Sequence, residues 1–225
     1  MTIFAERSKI IEIRNIRDDS MKKLVPILLV VLMLLCGCDS DNSKEEKTKT
    51  LSNNIEDMEV MFDKEVISLK DKVTVANLEK MGFAILKDYK SVAEETLEPS
   101  KDRDNMKNVS LNMETKSKKL FTVSAINLSG KKQKAKDCTV YLISSGETED
   151  YDHTYTLPSK VAFENSDKDI IKKLGEPNID LRNMDFGKMI QYINGDGTFT
   201  ANLDKDMKMT AFSYTLSNDY LFGKE

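Results

Sequence analysis

Tryptophan is absent from this 225-residue chain and histidine occurs once. A single imidazole removes most histidine-based metal centres and acid–base pairs. With only 7 Tyr and 9 Phe beside it, the missing Trp argues against an aromatic platform for carbohydrate. Three cysteines are too few for a disulfide-dense scaffold. Nine glycines and four prolines exclude collagen-like and low-complexity chains. A basic excess is missing too: 34 basic and 38 acidic residues give a net charge of -4, without the concentrated basic face that general nucleic-acid binding needs. There is no nucleophile elbow, P-loop or dinucleotide fingerprint. What remains is 40% hydrophobic and 32% charged, enough to bury a core in one or two soluble domains.

The apolar run Leu24–Leu35 (LVPILLVVLMLL) is uncharged. As a helix its 12 residues rise about 18 Å, short of a hydrocarbon core of ~30 Å. It has no polar face, so it does not read as an amphipathic core helix. Met21-Lys22-Lys23 before it supplies a start and a basic n-region, which together predict a signal peptide over residues 21–37. Leu35-Cys36-Gly37-Cys38 resembles the lipobox of bacterial lipoproteins of the signal peptidase II class, with Leu at -3 and a small residue at -1. That resemblance implies diacylglycerol on Cys38, which becomes the mature N-terminus. Cys36 is the competing position, but Leu34-Leu35 lacks the small residue before it. Two or more acyl chains hold a protein stably at a membrane. The expected location is therefore the extracytoplasmic face of a cell membrane. Residues 38–225 carry 28 basic and 34 acidic residues, so no charge attraction to an anionic leaflet is expected.

Residues 1–20 carry four charges of each sign, unusual before an apolar signal segment. The simplest account is an over-extended N-terminus with translation starting at Met21; a genuine cytoplasmic extension is the alternative. Asp39–Thr50 is polar and charged without apolar periodicity, and residues 38–55 read as the lipidated Cys and a flexible tether.

The remainder divides into a first α+β unit over 56–157 and a second over 158–225. In the second, Ser166 and Asp169 form a weak capping box, Ile170, Ile171 and Leu174 share a face, and Gly175 with Pro177 stops the chain. This predicts a helix over 167–174 ending in left-handed backbone. Three strands are expected after it, at 188–193, 198–203 and 207–216. Asn194–Gly197 makes a hairpin turn, and Phe199, Ala201 and Leu203 point inward. A parity change between Ala211 and Phe212 suggests a bulge or burial on both faces. In the first unit, two short strands are expected within 60–69, a helix over 75–81 capped by Thr74 and ended by Gly82, and strands at 109–113, 120–127, 139–144 and 155–157.

VISLKDKVTVANLEKMGF echoes KVAFENSDKDIIKKLGEP. In each, an apolar pair (Ile67 and Leu69; Val161 and Phe163) precedes a capped helix ending in Lys-Met-Gly or Lys-Leu-Gly. Chance similarity between common helix endings stands beside this as the alternative. The stretch from Val161 to Tyr220, with DKDIIKKLGEP from Asp167 and the strands that follow, resembles the helix–sheet module of small bacterial lipoproteins of the SmpA/OmlA (BamE) kind. Tandem copies of that module make the β-lactamase-inhibitor-protein-like fold. The resemblance implies α+β architecture, with short helices packed on antiparallel sheet in two tandem units, and a binding role in place of catalysis.

Candidate chemistry is sparse. His153 lies among Glu147, Glu149, Asp150 and Asp152, which reads as a metal loop or, more simply, a solvated connection. Asn194, Asp196, Asp204 and Asp206 lack the spacing of a calcium loop and suit turns. Cys138 begins a strand-like run and reads as a buried apolar residue. No catalytic residue, metal or cofactor is assigned; Cys38 is the one site residue, as the lipidation site. The expected function is a membrane-anchored envelope lipoprotein with a non-catalytic ectodomain that binds another envelope protein or peptide, and no nucleic acid. An interaction module predicts an exposed apolar or aromatic patch on a sheet face. The alternative, a small-solute or peptide receptor, predicts a pocket between the two units. An envelope hydrolase would need converging ionisable groups.

Overall fold

The computed structural model describes residues 49–102, 105–146, 155–183 and 187–223. The chain makes two passes through the same series of elements. The first opens with a hairpin of β1 (Glu59–Phe62) and β2 (Glu65–Ser68), then helix α1 (Val75–Lys80) and strand β3 (Ala84–Ile85). The one-turn helix α2 (Lys90–Ala93) and β4 (Thr96–Leu97) intervene before β5 (Asn108–Glu114) and β6 (Leu120–Ile126). After the two-residue β7 (Gln133–Lys134) comes β8 (Thr139–Gly146). The second pass has a hairpin of β9 (Tyr155–Leu157) and β10 (Val161–Ala162), helix α3 (Asp167–Leu174), and β11 (Ile179–Asn183). It ends with β12 (Gly187–Ile193), β13 (Gly197–Leu203), β14 (Met209–Leu216) and helix α4 (Asn218–Phe222).

Both main helices begin in the same way. Thr74 Oγ1 accepts from the Asn77 amide while Asn77 Oδ1 accepts from the Thr74 amide. Ser166 and Asp169 make the same reciprocal pair at α3. Each box satisfies two amides that a helix start leaves open. One turn later Leu78 and Ile170, both fully buried, are the equivalent apolar anchors. Short helices like these gain their stability from such packing.

Sheet order makes the correspondence topological. The large sheet runs β11-β12-β13-β14-β8-β6-β5-β3, and the small one β10-β9-β1-β2. Last strands of the two passes meet at the centre of the large sheet, β14 against β8, and each pass then runs outward to its own edge. In the small sheet β1 meets β9. All the pairings are antiparallel. Each pass carries one extra residue in its last strand, Tyr141 in β8 and Thr210 in β14, where the register shifts. The expected bulge of the last strand is thus present, placed at Thr210.

The core lies between the two sheets. Phe62 stacks on Phe121 with centroids 4.5 Å apart, and Tyr155 tilts onto Phe212 at 4.4 Å. Phe199 and Tyr214 continue the cluster at 5.0 Å. The outcome is α+β but sheet-dominated: the longest described helix, α3, has 8 residues.

Several sequence expectations need correction. Four strands follow α3, because β11 pairs along β12 from Ile179 to Asn183. Tyr155–Leu157 pairs on one side with Met61–Phe62 and on the other with Val161–Ala162 across the turn begun by Pro158, and Tyr155 and Leu157 are buried. Residues 49–55 are not a free tether. Lys49 Nζ lies 2.9 Å from Glu59 Oε1 and 2.8 Å from Asp71 Oδ2, and the Ser52 amide donates to Glu59 Oε2 at 2.8 Å. Glu59 is almost fully buried, so its charge requires these partners. Of the three apolar residues of α3, Ile170 alone is fully buried; Leu174 packs partly on the core and Ile171 is half-exposed. Gly175 has φ +85° with ψ -172°, a glycine-only region distinct from the left-handed helical one.

Candidate functional site

The face of the large sheet turned away from the core is its least expected surface. Residues alternate strictly, so register defines rows across it. One row reads Ile179, Gln191, Thr200, Ser213, Ser144, Thr122 and Asn112 from β11 to β5. A second reads Ile193, Thr198, Thr215, Leu142, Ser124 and Ser110. A third reads Leu181, Met189, Asn202, Ala211 and Gly146. None of these positions is charged, in a chain that is 32% charged; charge enters at the β5 corner, where Glu114, two residues on from Asn112, pairs with Lys118 at 2.7 Å.

Neighbouring side chains in the rows bond to each other. Gln191 Nε2 donates to Thr200 Oγ1 at 3.0 Å, Thr122 Oγ1 donates to Asn112 Oδ1 at 2.7 Å, and the Ser110 and Ser124 hydroxyls lie 2.8 Å apart. These cross-strand pairs hold the small side chains flat against the sheet. At the β11 end the face turns apolar. Leu181 (56% exposed) and Ile193 (45%) are the exposed large hydrophobic residues among those described.

Two clefts lie at equivalent places in the two passes, each beside the end of the main helix and the turn joining the second and third strands of the meander. The first, about 430 Å³, is lined by Asp63, Lys64, Met81, Gly82, Phe83, Lys116 and Ser117, among others. Asp63 anchors its rim. Burial works against its charge, but hydrogen bonds from Ser117, Lys119 and Thr115 outweigh that and hold its carboxyl down to about 2. The second, about 300 Å³, is lined by residues of both passes, including Asn54, Ile55, Glu56, Leu174, Asn178, Tyr192 and Asn194. Met58 forms part of its floor by seating against Gly197, where a Cβ would stand 2.6 Å from the Met58 methyl carbon. Tyr192 donates from its hydroxyl to the Gly175 carbonyl at 2.8 Å, and burial pushes its phenol up to about 12.

Cys38 lies outside the described residues, as do His153 and its neighbours Glu147, Glu149, Asp150 and Asp152. The Asn194, Asp196, Asp204 and Asp206 group is engaged in turn chemistry. Asn194 Oδ1 accepts from the Asp196 and Gly197 amides at 2.8 Å each, Asp204 Oδ1 accepts from the Lys208 amide at 2.9 Å, and Asp196 pairs with Lys70. Among the described residues no cluster of three or more His, Cys, Asp and Glu is arranged to hold a metal. Cys138 is fully buried, with its Sγ 3.3 Å from the Lys134 carbonyl, and burial pushes its thiol up. A raised thiol is a poor nucleophile.

Comparison with known proteins finds no family model, no curated protein and no solved structure that matches this chain.

Sequence reasoning missed the uncharged face. Serines and threonines on alternate positions read as ordinary solvent-side residues of separate strands. Only the register across seven strands shows that they form one surface.

Proposed function

We propose that this chain is a lipid-anchored lipoprotein of a bacterial cell envelope, held by Cys38, whose folded region is a non-catalytic module that binds another envelope protein. Its two passes are read as tandem helix-plus-sheet units of the kind that the α3 segment resembles. The observation that carries the reading is the uncharged open face. Depletion of charge marks the centre of protein–protein interfaces, and small hydroxylated side chains let a partner approach closely while offering both donors and acceptors. Leu181 and Ile193 add exposed apolar area at one end. The partner that fits is a protein surface bearing amides, hydroxyls and an apolar contact opposite Leu181 and Ile193. The anchor itself is supported by the lipobox-like Leu35–Cys38 and the apolar run before it. A second reading, a receptor for a small solute or peptide, is favoured by the cleft of about 300 Å³ that draws its walls from both passes.

The test is photo-crosslinking in intact cells from a benzophenone placed at Ser144. The expected result is one discrete protein adduct, lost when Thr200→Arg puts a charge on the same face and kept with Lys172→Ala on the exposed side of α3. An adduct indifferent to Thr200→Arg would move the partner to another surface. In the same cells Cys38→Ala should abolish acyl labelling and release the protein from membranes.

A further inference from the structure

The two edges of the large sheet are finished differently. At one edge β3 has only two residues, and the chain beyond it stays on the sheet: the Leu86 amide donates to the Asn112 carbonyl at 3.0 Å, and Asn112 Nδ2 donates to the Tyr89 hydroxyl at 3.0 Å. That is the usual protection of a sheet margin by a short strand and a covering segment. At the other edge β11 is five residues long, and among the described residues no strand pairs with its outer side. It presents Leu181, the most exposed large hydrophobic residue described, on the open face. On the opposite face it presents Asp180 and Arg182, which flank Leu181.

This pattern is self-complementary. If a second β11 runs antiparallel to the first with its centre on Leu181, Leu181 faces Leu181, Asp180 faces Arg182 of the other copy, and Arg182 faces Asp180. Both cross-strand charge pairs are then of opposite sign, the favourable arrangement for directly opposed residues. The leucines meet on the open face, next to Met189 of each copy, and the edge amides and carbonyls find partners. Asp180 also lies 2.9 Å from Lys188 Nζ in its own chain, so the ion pairs across the two-fold axis extend a pairing already present. We propose that a second copy of this chain pairs edge to edge along β11, about a two-fold axis through Leu181, joining two large sheets into one. A two-fold contact of this kind closes on itself and does not propagate into fibres.

Leu181→Cys in the full-length chain, oxidised in isolated membranes, tests this directly. Opposed residues of antiparallel strands lie ~4.5–5.5 Å apart at Cα, within disulfide reach. The expected result is a reducible species of twice the chain mass for Leu181→Cys and none for Asn202→Cys, two strands inward on the same face. Adding Arg182→Asp should cut the dimer about tenfold by opposing like charges, and Asp180→Arg alone should do the same. Mixing the two variants under different tags should restore a heterodimer, since each supplies the charge the other lacks; this rescue also shows that both fold. Equal crosslinking at 181 and 202, indifference to the charge changes, failure of the mixture to recover, or a crosslink solely to a different protein would each overturn the proposal.

Discussion

The two passes of the chain share a plan and differ in what lies between their first and second sheet strands. In the first pass more than 20 residues separate β3 from β5, including α2, β4 and the turn with Tyr89; they cover that margin of the large sheet. In the second, β11 and β12 are separated by residues 184–186, and among the described residues no strand pairs with the outer side of β11. The shared parts are those that build the core: capping boxes, Leu78 and Ile170, the bulged last strands. The parts that differ lie at the periphery, where a change alters what the surface can meet without disturbing the packing. The repeated plan thus holds the molecule together, and the edges and rims, where the two passes differ, are where its surface varies.

Truncating the paired anchors should have the largest effect on this comparison. Leu78→Ala and Ile170→Ala should each lower stability by about 2–5 kcal/mol by opening a cavity. Because the aromatic core is continuous between the passes, both variants should show a single unfolding transition in denaturant, followed by far-ultraviolet circular dichroism and by tyrosine fluorescence. Two separated transitions for either variant would show that the passes are independent units. The caps give the middle-sized effect. Thr74→Ala and Ser166→Ala should each cost about 1 kcal/mol, equal within the scatter of such sites. A much larger loss at one would mean that its helix carries more than its counterpart.

The smallest effect separates the passes by acidity. Asp63, at the rim of the first cleft, is held at about 2 against an ordinary 3.8. A carboxylate whose folded value is depressed adds stability above its unfolded value, and that contribution is lost as pH falls from near 4 to near 2. In Asp63→Asn the acid-side decline of the melting temperature over that window should be shallower than in the unaltered protein. Parallel curves for the two proteins would dissociate the Ser117 and Lys119 contacts from any stabilising role.

What the sequence made legible follows from how local each signal is. Both main helices, their caps and their glycine stops were readable, because capping and apolar spacing act within one or two turns. Strands β5, β6, β8, β12, β13 and β14 were readable within two residues at either end, from alternation and turn residues. β11 was not: Ile-Asp-Leu-Arg-Asn alternates, but it follows Pro177 and leaves Leu181 exposed, so no core demand marks it. Tyr155–Leu157 was legible as a strand, but its pairing with both Met61–Phe62 and Val161–Ala162 was not, because a three-residue strand takes its place from distant partners. The open face depends on register among strands up to about 100 residues apart, which no local pattern encodes.

The β14–β8 seam has a consequence for biosynthesis. The central pairing of the large sheet joins Thr215 to Leu142 and Ala211 to Gly146, and α4 then clasps the first pass through the Tyr220 hydroxyl, 2.9 Å from the Lys70 carbonyl. A chain emerging from its N-terminus completes β8 some 60 residues before β14 exists to cover it. Until then β8, with Ile143 in its core-facing row, is a bare margin in the middle of the future sheet, and such margins invite pairing with the wrong strand. Contacts of this span also slow closure. Completion of β14, more than the formation of either helix, therefore closes that margin, and a chain interrupted before Met209 would leave β8 without its β14 partner.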